Sequence, residues 1–333
     1  MSESRRIEYY DKLNVISCFA VVLLHANGFV HAFIKDDWWW LRVLIEDVCY
    51  FGVPVFFMLS GATLLNYREK YSTRTFYKKR FLKALIPFLI WSTVFYVFNC
   101  VGLHAPFEIR QLIDDITTGH IPLTNYWFFI PLFGLYIFMP YLSSMVMNIS
   151  KRMLLCLCVL LISLQTIFPF IYSFIDVPFK PSFPIAGYAF YLFLGYYISR
   201  FFNKSNKKIL YIFGLLCVAS LLYRYVSVFS SDSRDPFMFS YMGIYAVFPA
   251  IFIFMLAKTS ESYNGRANAF WSWMAKKSFG IYLLHMFFIR MLAFVWNNQN
   301  PWYILVAFVL AYSASLLITA LMQRVKYLKF LVP

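Results

Sequence analysis

The chain has few charged residues: only 14% of its 333 residues are Asp, Glu, Lys or Arg, whereas soluble proteins carry about 25%. Apolar residues make up 61% of the sequence, and long apolar runs recur from end to end. Runs of about twenty apolar residues can cross the hydrocarbon core of a bilayer, which is about 30 Å thick. These features exclude an ordinary soluble domain and indicate a polytopic membrane protein.

Motifs typical of several soluble enzyme classes are absent. The sequence holds no Gly-rich phosphate-binding loop, no GxSxG elbow, no HExxH and no CxxC. Its five histidines are scattered, and its six cysteines fall in or beside apolar runs. We therefore expect no metal site and no disulfide framework, and we interpret the cysteines as small core residues.

Acidic residues are half as numerous as basic ones, which leaves a net charge of +15. The cations lie in short segments between apolar runs, so nucleic acid is not an expected partner. If the N-terminus is inside, 23 of the 30 Lys and Arg residues fall on the inner side, as the positive-inside rule requires. We predict a multi-pass protein of the cytoplasmic membrane with both termini in the cytoplasm.

Ten transmembrane helices are predicted, each of about 18–23 residues. They cover residues 13–33, 48–66, 81–103, 126–147, 153–173, 183–202, 208–228, 238–257, 278–297 and 302–322. No loop is long enough for a further folded domain, and the longest, 104–125, has room only for a short outer helix. The expected fold is all-α, a bundle of about ten transmembrane helices that forms a single domain over residues 1–333.

The first span carries polar residues in an otherwise apolar run that includes LNVISCFAVVLLH. At about 100° per residue, Asp11, Asn14, Cys18 and His25 fall on one helix face. His25 is expected near the bilayer centre, where an ionisable side chain is costly and rarely faces lipid. Because imidazole exchanges protons near neutral pH, we predict a catalytic role for His25. The alternative is a structural hydrogen bond to a neighbouring helix.

A basic cluster lies in the predicted inner loop before the third span, FYKKRFLKALIPF. Its residues Lys79, Arg80 and Lys83 are candidates for binding the phosphates of a cytosolic donor. The alternative is that they set the topology and attract anionic lipid.

The second span contains FGVPVFFMLSG. Pro54 is expected to kink this helix or to lie in its first turn. Ser60 and Gly61 are small residues near its inner end, and tight helix contact is the alternative to a functional role for them.

Six segments, taken in order, resemble the acyltransferase-3 superfamily of integral-membrane acyltransferases. They are YYDKLNVISCFAVVLLHANG, FGVPVFFMLSGATLL, FYKKRFLKALIPF, NYWFFIPLFGLYIFMPYL, FYLFLGYYISR and SFGIYLLH. Members typically move an acyl group, often acetyl, from cytosolic acyl-CoA to a hydroxyl of an extracytoplasmic or lipid-linked glycan. The resemblance implies an acyl-CoA-dependent O-acyltransferase that uses acetyl-CoA as co-substrate and holds no permanent cofactor.

The resemblance also implies roles for particular residues. The family's first-helix signature is Arg or Lys, then ten residues, then His; His25 matches it, whereas Asn14 occupies the basic position. Arg80 matches the family's basic position before the third helix, and Ser60 matches its SG pair. The candidate substrate-binding residues are Ser60, Trp127, Tyr136, Tyr282 and His285.

In the implied reaction, His25 is the general base or first accepts the acyl group itself. Asp11 or Asn14 orients the donor, and Ser60 or Tyr136 stabilises the developing oxyanion. Two other functions fit the sequence: a transporter or flippase for a lipid-linked glycan, and a membrane module that senses a ligand without catalysis. The acceptor, the acyl group and the oligomeric state stay open.

Overall fold

A computed structural model describes residues 7–175, 187–260, 265–296, 300 and 302–333. All regular secondary structure in these ranges is helical. Eight of the helical segments are long and apolar enough to cross a membrane. The predicted fold class, an all-α polytopic membrane protein, is therefore confirmed. The first residues of the predicted sixth span, 183–186, lie outside the described ranges.

The α-helices are named here in chain order. They are α1 (Glu8–Ala26), α2 (Phe29–Ala32), α3 (Trp39–Cys49), α4 (Gly52–Leu64), α5 (Thr73–Arg80), α6 (Ile86–Leu103), α7 (Ile109–Thr118), α8 (Phe129–Asn148), α9 (Lys151–Ile162), α10 (Phe168–Tyr172), α11 (Ala189–Phe201), α12 (Lys207–Ser230), α13 (Ile244–Thr259), α14 (Gly265–Ala275), α15 (Ser278–Val295) and α16 (Trp302–Arg324). Short 3₁₀ segments occur at Tyr67–Glu69, Tyr126–Phe128 and Pro236–Phe239, and π-helical segments at Phe81–Leu85 and Ser163–Ile167.

The chain divides into two compact units, each built from two separate stretches. The first unit comprises Met1–Asn66 and Ser143–Ser272, and the second comprises Tyr67–Leu142 and Trp273–Pro333. The prediction of a single membrane domain over residues 1–333 stays a prediction.

The predicted first span is wrong in one respect, because it is not a continuous helix to residue 33. Helix α1 ends at Ala26, and the amide of Asn27 closes it by donating to the carbonyls of Leu23 and Leu24 at 3.1 and 3.2 Å. Asn and Gly are common at helix ends, and Asn27-Gly28 separates α1 from the short α2. His25 therefore lies in the last turn of α1, and not in the middle of a helix.

The basic segment before the third span is helical, which corrects the expectation of a loop. Helix α5 starts after Ser72, whose side-chain oxygen accepts from the Thr75 amide at 3.3 Å, a normal N-cap. The π-helical segment at Phe81–Leu85 then leads into α6. Pro87 lies in the first turn of α6 and cannot donate a helix hydrogen bond. The wider π-helical turn therefore falls where Pro87 interrupts the regular pattern of backbone hydrogen bonds.

Two smaller expectations are confirmed. The loop over 104–125 contains one short helix, α7. Pro54 lies in the first turn of α4, where its missing N–H leaves no helix hydrogen bond unmade.

Helices α4 and α11 pack closely inside the first unit, and two glycines permit this contact. A Cβ atom on Gly61 would overlap the backbone of Leu192, and one on Gly195 would overlap the backbone of Met58. Glycine at such positions lets helix backbones approach each other in membranes. The SG pair at residues 60–61 thus includes one residue whose function is packing.

In the second unit, aromatic side chains and tyrosine hydroxyls connect the helices. The Tyr126 hydroxyl donates to the Leu283 carbonyl at 2.7 Å, and the Tyr282 hydroxyl donates to the Asn125 carbonyl at 3.0 Å. Helix α15 packs on α16, and a Cβ on Gly280 would meet the Thr319 side chain. These bonds satisfy buried hydroxyls while the rings fill the space between helices.

Candidate active site

The polar stripe predicted on the first span lies entirely within α1. Because the helix is unbroken from residue 8 to residue 26, the side chains of Asp11, Asn14, Cys18 and His25 share one face. Asp11 and Cys18 are buried, whereas Asn14 and His25 are half-buried. The Oδ1 atom of Asn14 is buried and has no hydrogen-bond partner among the described residues. The stripe therefore combines buried acid, thiol and amide groups with a half-exposed imidazole.

Ser60 is also in the first unit, on α4. Its hydroxyl is half-buried and donates to the carbonyl of Phe56 at 3.0 Å, on its own helix. Its neighbour Gly61 faces α11 in the close contact described above. In this structure, the Ser60 hydroxyl therefore donates its hydrogen bond to a backbone carbonyl of its own helix.

A buried ion network, absent from the set of residues singled out by sequence, occupies the first unit. Arg224 on α12 is 1% exposed and donates to Asp47 Oδ1 and to the Met238 carbonyl, both at 2.7 Å. Its Nη2 atom lies 3.6 Å from Glu46 Oε1, and Glu46 is also 1% exposed. His31 Nε2 lies 3.7 Å from the other oxygen of Glu46. We call Glu46, Asp47, Arg224 and His31 the Arg224 cluster.

Aromatic rings enclose this cluster. The Arg224 guanidinium lies 4.3 Å from the ring centre of Tyr50, 4.9 Å from that of Tyr245 and 5.3 Å from that of Phe239. Tyr50 in turn stacks on Tyr241, with ring centres 4.5 Å apart. Cation–π contacts of a desolvated guanidinium contribute to the stability of such a buried cation.

A second set of polar contacts ties the end of α1 to α3. The side chain of Asn27 is fully buried and donates from Nδ2 to the Arg42 carbonyl at 2.7 Å. The Arg42 guanidinium binds Asp36, with Nη2 and Nε at 2.7 and 2.9 Å from Oδ2. Since Asn27 follows His25 by two residues, these bonds hold the helix end that carries His25.

The basic residues predicted to bind the donor lie in the second unit. Lys79 and Lys83 are exposed, and Lys79 Nζ lies 3.9 Å from the ring centre of Tyr71. Arg80 is half-buried, with its guanidinium carbon 5.6 Å from the ring centre of Tyr136 and 5.9 Å from that of Phe76. Its Nε atom is buried without a hydrogen-bond partner in the described part of the chain. A half-buried guanidinium with an unused donor is suited to binding an anion.

The remaining predicted substrate-binding residues also belong to the second unit. Trp127 is half-buried in the 3₁₀ segment that precedes α8, and Tyr136 is buried on α8. His285 is buried on α15, and its Nδ1 atom lies 2.8 Å from the Tyr282 carbonyl and 3.1 Å from the Ile281 carbonyl. The Tyr282 ring lies 5.7 Å from the His285 ring. Tyr282 and His285 therefore form one aromatic group.

The predicted catalytic residues and the predicted donor-binding residues thus lie in different units, and the predicted substrate-binding residues are divided between the two. Asp11, Asn14, His25 and Ser60 lie in the first unit, and the predicted donor-binding residues lie in the second. Within the residues that the structure describes, no three His, Cys, Asp or Glu side chains are grouped so that they could hold a metal ion. Chemically, the first unit offers an imidazole beside buried polar groups, and the second offers a guanidinium on an aromatic support.

Sequence reasoning missed the Arg224 cluster because its charges were counted as outer-loop charges. One signal was available: Arg224 falls inside the predicted seventh span, 208–228. An ionisable residue within a span is rare and usually has a partner or a function. Glu46 and Asp47, immediately before the second span, were the acids best placed to be that partner.

Comparison with known proteins bears on the function. The model of the acyltransferase-3 family, described as an acyltransferase domain, matches residues 7–320. No curated protein matches the chain, and no solved structure does. The family match extends over α1 and over the basic segment of α5, so both groups of candidate residues fall within it.

Proposed function

Because the chain belongs to the acyltransferase-3 family of membrane acyltransferases, we propose that it transfers acetyl from cytosolic acetyl-CoA to a glycan hydroxyl. The acceptor is an extracytoplasmic or lipid-linked saccharide. The reaction is an O-acylation, with acetyl-CoA as a co-substrate rather than a resident cofactor.

The observation that carries this proposal is the polar face of α1. His25 is half-buried in the last turn of a helix whose same face carries buried Asp11 and Cys18. The carbonyl end of a helix favours a positive charge by about 0.3–1 kcal/mol. An imidazole at that place is suited to accept a proton, because its protonated form lies beside the negative end of the helix.

In the proposed step, His25 removes the proton from the acceptor hydroxyl as the oxygen attacks the thioester carbonyl. A C–O bond forms, the C–S bond breaks, and the proton passes to the leaving sulfur, so that CoA departs as the thiol. In the alternative route, an imidazole nitrogen of His25 attacks the thioester carbonyl, the C–S bond breaks, and CoA departs as the thiol with the imidazole proton. The acceptor oxygen then takes the acetyl group from the nitrogen as the C–N bond breaks, and the hydroxyl proton returns to the imidazole. Asp11 or Asn14 orients the donor in both routes.

Arg80 is proposed to bind a phosphate of the donor. Its buried Nε atom and the aromatic rings of Phe76 and Tyr136 support that role, since a guanidinium held on ring faces keeps its N–H groups directed to one side. Lys79 and Lys83 are exposed and add positive potential nearby. Ser60 or Tyr136 is proposed to stabilise the oxyanion, which requires Ser60 to release its bond to Phe56.

The test is His25→Ala in purified protein reconstituted into lipid nanodiscs. Transfer of label from [¹⁴C]acetyl-CoA to the host's own surface glycan is measured, with His120→Ala as a matched control because His120 is exposed. We expect His25→Ala to lower the transfer rate by about 10²–10⁴-fold and His120→Ala to leave it unchanged. Thermal unfolding of both variants shows whether each is folded.

Three outcomes would overturn parts of this proposal. Normal transfer by a folded His25→Ala variant would remove the catalytic role of His25. In sealed proteoliposomes, movement of glycan across the membrane without any labelled product would favour a flippase. Binding of CoA without turnover on any acceptor would favour a sensing module. Rapid quenching of the wild-type reaction, followed by detection of labelled protein, distinguishes the acetyl-histidine route from direct transfer.

A further inference from the structure

Basic residues gather at the end of α16, in the second unit, without acidic partners. Four exposed cations lie there or just before the adjoining start of α15: Lys276, Arg324, Lys326 and Lys329. We call them the α16 basic cluster. No Asp or Glu follows Glu261 in the sequence, and none of the four cations forms an ion pair with a residue that the structure describes. Because neighbouring like charges repel one another, an anion from outside the chain would stabilise this cluster.

Hydrogen bonds bring the two parts of the cluster together. Gln323, which precedes Arg324, donates from Nε2 to the Lys276 carbonyl at 2.8 Å. Lys277, next to Lys276, is buried, and its amino group donates to the Trp273 carbonyl at 3.1 Å. Burial lowers the pKa of Lys277, and the positive charges of Lys276 and Arg324 lower it further. The cations before α15 and at the end of α16 therefore form one patch of positive potential.

The segment that follows α16 is fixed in position. The Val332 carbonyl accepts from Gln323 Nε2 at 2.9 Å, and the Leu331 carbonyl accepts from the indole of Trp91 at 3.1 Å. Val332 is fully buried, and backbone hydrogen bonds close turns over residues 325–331. The exposed side chains of this segment therefore keep a defined place beside the end of α16.

Large apolar side chains are exposed between the cations of this segment. Tyr327 is 76% exposed, Phe330 47% and Leu328 39%. Helix α16 is long and apolar enough to cross a membrane, so we expect its end at the membrane surface, where aromatic residues, lysine and arginine are common. A ligand that fits this surface offers negative charge and apolar chains together.

An anionic phospholipid meets both requirements, because its phosphate is joined to two acyl chains. A free phosphate or a soluble nucleotide would leave the exposed rings in water. We propose that the α16 basic cluster binds the phosphate of an anionic phospholipid, while Tyr327 and Phe330 contact its glycerol and acyl chains. Cations near an anionic headgroup are attracted over a distance of about 10 Å. This lipid site goes beyond the proposed acyl transfer and does not depend on it.

The experiment measures lipid binding without turnover. Native mass spectrometry of the detergent-purified protein gives the Kd for phosphatidylglycerol and for phosphatidylcholine with the same acyl chains. We expect the wild type to bind phosphatidylglycerol about tenfold more tightly, and the double variant Lys326→Gln/Lys329→Gln to lose this preference. The matched control is Lys207→Gln/Lys208→Gln, which removes two exposed lysines at the start of α12 and should leave both Kd values unchanged.

Two further variants make the test decisive. Tyr327→Ser/Phe330→Ser removes the apolar contacts and keeps the charges, so it should weaken the binding of both lipids and retain the preference for phosphatidylglycerol. If the lysine double variant does not fold, Arg324→Gln takes its place and should reduce the preference about fivefold. Thermal unfolding without added lipid shows whether each variant is folded.

Four results would overturn the proposal. The first is equal affinity of the wild type for the two lipids, and the second is unchanged binding in the lysine or the aromatic double variant. The third is an equal loss of preference in the control at Lys207 and Lys208, which would show diffuse attraction. The fourth is displacement of phosphatidylglycerol by acetyl-CoA, which would assign the cluster to the phosphates of the donor. A protein that transfers no acetyl group would contradict the proposed function and leave the lipid measurements unaffected.

Discussion

In the first unit, Arg42 and Arg224 are buried inside ion pairs, whereas Arg80 in the second unit lies half-buried against aromatic rings. Arg224 has Asp47 at 2.7 Å and is 1% exposed. Arg80 contacts the rings of Phe76 and Tyr136, and its Nε has no hydrogen-bond partner among the described residues. The same side chain thus holds structure in one unit and remains available to a ligand in the other.

Hydroxyl-to-carbonyl bonds join helices in both units, as Tyr225 does to Trp40 in the first, but the backbone-to-backbone glycine contact described here is in the first unit. In the first unit, α4 and α11 approach through Gly61 and Gly195, backbone against backbone. In the second, hydroxyls such as that of Tyr126 bond carbonyls of another helix. Close backbone packing tolerates little movement, which suits a unit that is proposed to hold His25 in place. Each prediction below tests one part of this contrast.

The largest difference is expected when each arginine is replaced by methionine. Arg224→Met leaves Asp47 and Glu46 buried without their cation, and breaking a buried pair costs about 3–5 kcal/mol. Arg80→Met removes no ion pair with any described residue and should cost less than about 1 kcal/mol. The free energy of unfolding, measured in mixed detergent with increasing denaturant, checks both values. Equal losses would show that the two arginines do not differ in structural role.

The next largest effect concerns the glycine contact. Gly61→Ala and Gly195→Ala should each destabilise the protein by about 1–3 kcal/mol, because the new methyl group overlaps a backbone that cannot move aside. The matched control is Gly134→Ala in α8, where the new Cβ would have no described atom within 4 Å apart from neighbouring parts of its own helix. That change should stabilise the helix by about 0.5–1 kcal/mol. The midpoint of thermal unfolding is measured for the three variants. Equal shifts of this midpoint in all three would refute close packing at Gly61 and Gly195.

The long spans were predicted well because length and apolarity determine them. The predicted span 302–322 is observed as Trp302–Arg324, and 208–228 as Lys207–Ser230. Charged residues mark the ends of such helices, since a bilayer core excludes them at a cost of several kcal/mol. Spans that owe their limits to this exclusion can be located from sequence alone.

Local breaks and distant partners were predicted poorly, for two different reasons. The stop at Asn27-Gly28 was overlooked because apolar residues continue beyond it, and the helix α5 because a dense run of cations resembles a loop. The pairing of Asp47 with Arg224 joins residues 177 positions apart. No spacing rule reports such a contact, since it depends on how α3 and α12 pack. The polar face of α1 was predictable because it lies within one helix.

A smaller effect is expected on donor binding, and it tests the role of Arg80 in the second unit. Arg80→Ala should raise the KM for acetyl-CoA about tenfold, because a charged hydrogen bond to a phosphate is lost. Lys78→Ala is the control, since Lys78 is an exposed neighbour on the same helix and should change the KM less than twofold. Arg80→Lys should recover part of the loss, because the charge remains but the planar fork does not. An unchanged KM in Arg80→Ala would remove the docking role.

The smallest effect on stability is expected at Asn14, and it separates the polar face of α1 from the ion pairs of the same unit. Asn14 Oδ1 is buried and has no hydrogen-bond partner in the described residues. Asn14→Leu removes this unsatisfied acceptor and therefore should not lower the free energy of unfolding. If Asn14 orients the donor, kcat/KM should nevertheless fall by about threefold to tenfold, the value of one hydrogen bond. Ile16→Leu on the exposed side of α1 is the control and should alter neither quantity. A loss of stability with normal kcat/KM would show that Asn14, like Arg224, has a structural role. A lower kcat/KM with unchanged stability is instead expected of a group that contacts the reactants.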